Sequence, residues 1–188
     1  NALSSDRQYG ENESNSRGDI KRGPAWNTKP SPNKKGAHNW PTYRHDARRS
    51  GSINDTLPSR LKIKWEKELG GTLHQPVSAN NKLFVVQEDK HTVWSLNAET
   101  GEKIWKYTAG GRIDSPPTLY EGKVMFGCTN GWVYCLRQED GEIIWRLQAA
   151  PAEHWITAYQ QIESAWPVHG SLLVQNGIVY FTAGRSTH

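Results

Sequence analysis

Three tryptophans, Trp65, Trp105 and Trp145, stand 40 residues apart in this chain of 188. The stretches that end in the second and third align residue for residue. Val93-Trp94-Ser95-Leu96-Asn97-Ala98-Glu99-Thr100-Gly101-Glu102-Lys103-Ile104-Trp105 lies over Val133-Tyr134-Cys135-Leu136-Arg137-Gln138-Glu139-Asp140-Gly141-Glu142-Ile143-Ile144-Trp145. A period of this size belongs to stacked supersecondary units, none of which can bury its apolar face alone.

Each copy reads as short strands joined by tight turns. Lys82–Val86 and Lys123–Gly127 are β-branched and aromatic runs entered through Asn80-Asn81 and Glu121-Gly122. Asn130-Gly131 between apolar runs is a hairpin signal. Gln75-Pro76-Val77 and Ser115-Pro116-Pro117-Thr118 precede them, with proline at a strand start, where its missing N–H costs no ladder bond. Four short strands in about 40 residues make one blade of a β-propeller. A third copy opens at Gly170 and reaches Phe181. The expected fold is all-β, an incomplete propeller of about two and a half four-stranded blades. Propellers close with about 4–8 blades, so the chain is expected to be a segment of a longer protein, with missing blades of that protein as partners.

Charge divides the chain. Residues 1–60 hold 11 Lys and Arg against 6 Asp and Glu, and residues 61–188 hold 12 against 13. The leader is also rich in Asn, Ser, Gly and Pro and poor in aliphatic residues. Such a stretch buries too little apolar area to offset its ordering entropy. Residues 1–38 therefore read as a polar, basic, mostly disordered linker, tacked down at Trp26, and 39–188 as the propeller segment. The cations are scattered and lack interleaved aromatics, which argues against a specific nucleic-acid surface. No apolar run reaches the roughly 18 residues of a membrane span. Cys128 and Cys135 flank the Asn130-Gly131 turn. With a two-residue turn they become diagonal neighbours on one face, which suits two buried free thiols better than a bridge.

The segments ending in Trp105 and Trp145 resemble the tryptophan-docking motif of the pyrroloquinoline quinone (quinoprotein) repeat family. The matching positions are Ser95, Asn97, Thr100, Gly101 and Trp105, then Cys135, Arg137, Asp140, Gly141 and Trp145. Arg137 and Asp140 depart from the pattern. The resemblance implies that Trp65, Trp105 and Trp145 pack flat between blades, with Gly101 and Gly141 in the receiving turns. Asn39–Ser52, Gly111–Pro117 and Ala165–Ser171 are similar, more narrowly, to large uncharacterised quinoprotein-like propeller proteins of planctomycete-type bacteria. Likeness to this family implies a periplasmic or extracellular setting.

No P-loop, G-x-S-x-G, H-E-x-x-H or C-x-x-C appears, so no catalytic residue is assigned. One constellation comes from the repeat itself. His74, Asp114 and His169 hold equivalent positions just before the innermost strand of three successive blades, each after an apolar residue. Innermost strands line the channel, so these side chains are expected to ring one mouth, with Arg112 on the same side. The ring reads as hydrated strand-entry residues, as a site for a small polar ligand, or as a place for a bound metal. Between Asp114 and His169 the spacing grows to 55, marking an insertion at 151–167. Trp155, Tyr159, Ile162 and Trp166 fall at i, i+4, i+7 and i+11, one face of a helix with proline at both ends. That helix is expected above His169, with Trp166 near the ligand. Two functions remain. One is a binding or scaffolding module for a small polar ligand or a protein, with no cofactor or metal in this segment. The other is a quinone-dependent oxidoreductase whose catalytic blades, with pyrroloquinoline quinone, lie elsewhere.

Overall fold

The structure, a computed structural model, describes residues 20–33 and 39–185. Strand β1 (Ile20–Arg22) lies in the leader. β2 (Val77–Ala79), β3 (Lys82–Gln87), β4 (Thr92–Asn97) and β5 (Lys103–Thr108) form the first blade in up-and-down order. β6 (Thr118–Tyr120), β7 (Lys123–Gly127), β8 (Trp132–Arg137) and β9 (Ile143–Gln148) form the second. β10 (Trp155–Ala158) and β11 (Gln161–Ser164) make a separate hairpin, and β12 (Leu173–Gln175) and β13 (Ile178–Tyr180) open a third blade. The all-β, repeated architecture read from the period is what forms.

Local chemistry explains the turns. Asn80-Asn81, Glu121-Gly122 and Asn176-Gly177 hold positive φ at both positions, the two-residue geometry whose twist matches the strands on either side. The Asn130-Gly131 turn differs from expectation. Gly127 pairs with Val133, and Gly131 N–H donates to the Cys128 carbonyl at 3.0 Å. This is a longer loop ending in a left-handed glycine, and it moves the register by one residue. One residue of slip exchanges faces. Cys128 consequently packs toward the first blade and Cys135 toward the third, rather than both on one face.

Both cysteines are free and buried, and burial pushes each thiol up to about 12. Iodoacetamide at pH 8 is therefore expected to label neither in the native chain and both in denaturant, read by intact mass. Because unfolded thiols ionise from about 9, this pair favours unfolding as pH climbs from 9 toward 12. Rapid native labelling of either would show that the register or the packing is wrong.

The two full blades stack through one core. Phe84, Val86 and Val93 of the first meet Val124, Phe126, Tyr134 and Leu136 of the second, with Trp105 and Ile113 between. Phe126 and Tyr134 stack at 5.2 Å, and Tyr107 tilts against both. On its other face the second blade offers Met125, Val133, Cys135 and Ile144 to Val168 and Leu172 of the third. Two tryptophans lie on glycine turns. Trp105 Nε1–H donates to the Gln138 carbonyl at 3.1 Å, and its ring covers Gly141 so closely that a Cβ there would lie 2.7 Å from it. Trp65 repeats this on Ala98 at 3.0 Å and on Gly101. Trp145 is half-buried in the second cluster.

Residues 39–51 were notable only for their likeness, and the structure makes them a clasp across the inner strands. Trp40 and Ser78 exchange backbone hydrogen bonds at 2.9 and 2.8 Å, and Leu119 N–H donates to the Pro41 carbonyl at 2.7 Å. Arg49 reaches the Ser171 and Leu172 carbonyls at 3.1 and 3.3 Å. Three blades are thus tied through one segment.

Two expectations fail. The helix at 151–167 is instead the β10–β11 hairpin, with Trp155 opposite Ser164 and Ile156 opposite Glu163. Its turn, Tyr159-Gln160, adopts positive φ without glycine or asparagine, so the sequence carried no turn signal. Trp155-Ile156-Thr157 suits a strand, and contacts with the blades outweigh the helical spacing. The linker reading of 1–38 also fails for 20–33. β1 pairs antiparallel with β9 as a fifth strand of the second blade, and Ala25 is fully buried. Residues 1–19 and 34–38 lie outside the described residues.

Candidate functional site

The connections from each outer strand to the next inner strand meet the inserted hairpin on one face of the blades. Leu73 bridges Gln87 and His74 N–H donates to the Val86 carbonyl at 3.0 Å, which lays His74 beside the end of β3. Glu88 follows β3 in a 3-10 turn, with its N–H on the Thr72 carbonyl at 2.9 Å. Thr72 N–H donates to the Asp89 carboxylate at 2.7 Å and holds that carboxyl below its usual range, which stiffens the same turn. Arg112 is placed by the Thr129 N–H on its carbonyl at 2.9 Å, and Glu163 by the Ser164 N–H on the Thr129 carbonyl at 2.9 Å.

These placements create a chain of alternating charge. His74 Nε2 is 3.1 Å from one Glu88 oxygen, and Arg112 Nη1 donates to the other at 3.1 Å. Arg112 Nε and Nη2 converge on one Glu163 oxygen at 3.1 and 2.9 Å, and Arg185 takes the second. Glu163 is 0% exposed, and Tyr159 lies over the Arg112 guanidinium at 4.6 Å. His91 Nε2 meets Gln161 Oε1 at 3.0 Å. Arg112 thus spends its donors on two carboxylates and acts as a lock between hairpin and blades. A carboxylate buried between two arginines is tolerable because both of its oxygens are satisfied by charge-assisted bonds.

The expected ring is therefore split. Asp114 and His169 do meet. His169 Nδ1 faces an Asp114 carboxylate oxygen, and Gly170 N–H approaches the other at 3.4 Å. His74 and Arg112 belong instead to the Glu88–Glu163 network, and Trp166 packs edge-on against His154 at 6.0 Å. Glu88, Glu163 and Arg185 escaped the sequence reading, because nothing in their local context marks hydrogen-bond partners 22 to 51 residues away.

What remains open on this face is the outside of the hairpin. Trp155, Tyr159 and Ile162 are 49%, 71% and 72% exposed, while Glu163 turns inward. Trp155 and Ile162 share the outer side of the ladder, two register steps apart, with Tyr159 at its tip. Among the described residues no group of three or more His, Cys, Asp or Glu is placed to hold a metal ion.

Known proteins share the repeat and the fold of this chain. A family model described as "Outer membrane protein assembly factor BamB" matches residues 54–187. Tetrathionate hydrolase of Acidithiobacillus ferrooxidans is 32% identical over 79 residues, 41% of this chain and 16% of its own length. The outer membrane protein assembly factor BamB of Escherichia coli K12 is 28% identical over 127 residues, 63% of this chain and 29% of its own. The quinohemoprotein alcohol dehydrogenase of Comamonas testosteroni superimposes with a TM-score of 0.62 at 19% identity, over 78% of this chain and 23% of that one, a likeness of fold alone. The chain spans less than a third of the length of each.

Proposed function

This chain belongs to the family described as outer membrane protein assembly factor BamB, and on that premise we propose that it is part of an exported propeller that binds another protein. The observation that carries this reading is the hairpin. A strained two-residue turn, an ion-paired buried carboxylate and a stacked arginine hold Trp155, Tyr159 and Ile162 out toward solvent. Strained backbone persists only where its surroundings over-determine it, and exposed aromatic anchors on a rigid support are the usual centre of a protein interface. The periplasm or the extracellular space is the proposed location. No helix among the described residues is long and apolar enough to cross a membrane.

A photoreactive amino acid at Tyr159 or Ile162 of the intact protein, in cells, is expected to give one discrete adduct, and the same residue at Lys103 on the first blade's rim none. The purified partner then loses about tenfold or more in affinity with Tyr159→Ala, a hot-spot-sized effect. Absence of that adduct, with stoichiometric and calcium-dependent uptake of pyrroloquinoline quinone by the intact protein, would establish the oxidoreductase instead.

A further inference from the structure

The two complete blades end in outer strands of unlike chemistry. β5 presents Lys103 and Lys106 on a rim that no other strand among the described residues pairs with, and edge lysines discourage added strands. β9 reads Ile143, Ile144, Trp145, Arg146 and Leu147, with a single charge. An edge of that composition is a template for strand addition, and here it is occupied. We propose that the β9 rim is a strand-docking site whose ligand is the chain's own segment 20–33, a self-docked strap that keeps the rim from pairing with other strands. This goes beyond the hairpin interface and uses a different part of the blade.

The fit is specific. Ile20, Lys21 and Arg22 pair with Leu147, Arg146 and Trp145. Lys21 and Arg146 stand opposite each other, a like-charge pair that would repel, yet each lies 4.9 Å from the centre of the Trp132 ring, whose π system attracts both. Arg22 stacks on Trp26 at 4.8 Å. Gly23 N–H and Ala25 N–H then donate to the Ile144 and Ile143 carbonyls at 2.9 and 3.0 Å, extending the ladder past β1. At Gly23 any Cβ would overlap the Ile143 carbonyl oxygen, so only glycine passes. Ala25 is 0% exposed in the cluster that holds Ile144, Trp145 and Leu147. Beyond it the strap crosses the inner turns. Arg137 donates to Thr28 Oγ1 at 2.9 Å, Ser31 lies against Gly122, and Asn80 reaches Asn33 at 3.3 Å. The recognised sequence is therefore Lys-Arg-Gly-Pro-Ala-Trp, read by the Trp132 ring, one glycine-only passage and one alanine-sized hole.

Hydrogen exchange by mass spectrometry on the full chain and its Gly23→Val variant tests this. In the variant, peptides covering Ile143–Leu147 are expected to exchange at least about tenfold faster, the direct consequence of losing ladder bonds, with β3 and β4 unchanged. A synthetic 20–33 peptide restores protection, and the same peptide with valine in place of Gly23 does not. Unchanged protection of β9, or equal rescue by both peptides, overturns the proposal. If the variant also loses protection in β3 and β4, the decision passes to the wild-type chain. There, excess biotinylated 20–33 peptide must exchange in and be retained, and failure to be retained overturns it equally. Dimers that disappear on adding the peptide support the same site, with the strap of a second copy as its occupant.

Discussion

Trp105→Ala is expected to destabilise the chain by about 3–5 kcal/mol, the range for emptying a large buried aromatic site, read as a fall in the urea midpoint. Trp105 is 7% exposed, packs at 5.7 Å from Phe84 and closes on the turn of the next blade. Its loss removes the contact between blades as well as core volume, and it leaves the Gln138 carbonyl without its indole donor. Trp145→Ala should cost less, because that ring is half-buried and Arg22, opposite it on the strap, stays in place. Gly141→Ala gives a sharper check. Its φ is +79°, and its Cβ would press on the Trp105 ring. Left-handed backbone costs an alanine about 1–2 kcal/mol, with the clash added. Removing Trp105 abolishes the clash, so the two substitutions should be clearly less than additive in a double-mutant cycle. Additive losses would mean that the ring does not dock on that turn.

The second large effect is at Glu163. Glu163→Ala leaves Arg112 and Arg185 charged and short of a partner beneath the hairpin, and breaking a buried pair this way costs about 3–5 kcal/mol. The loss should be nearly the same at high salt, because buried pairs are little screened. Hydrogen exchange should rise first in β10 and β11, while the first blade stays protected. A surface comparison is available in Asp140, which pairs with Arg137 on the turn before β9. Arg137 lowers the Asp140 carboxyl, but the pair is solvent-exposed and Asp140→Ala is expected to cost about 1 kcal/mol or less. Equal losses at Glu163 and Asp140, or a Glu163 effect erased by salt, would reduce the network to ordinary surface charge.

Much of the blade architecture was legible because its causes are local. The 40-residue period, proline at strand starts, paired asparagines and glycines in turns, and a tryptophan 36 residues before the glycine it covers are all written within one or two repeats. The free, buried state of both thiols followed from the same reasoning, although their faces did not. A single extra loop residue at Gly131 reversed them, and loop length is set by the backbone rather than by the Asn-Gly dipeptide. The candidate site was half legible. Equivalence between blades brought out Asp114 and His169, which meet, but it also grouped them with His74 and Arg112, which turn to Glu88 and Glu163.

Sequence alone determined that this chain builds stacked β-blades, since periodicity and turn chemistry act over a few residues at a time. Only the tertiary structure decided the rest. The 155–164 insertion is a hairpin because Arg112, Arg185 and Thr129 hold Glu163 and Ser164 in place, and helical spacing carries no record of those partners. The 20–33 stretch is ordered because β9 offers it an unpaired edge and an alanine-sized hole, whereas its own composition cannot supply the apolar contacts that offset its entropy. Both outcomes depend on groups 22 or more residues apart that meet only in the folded chain.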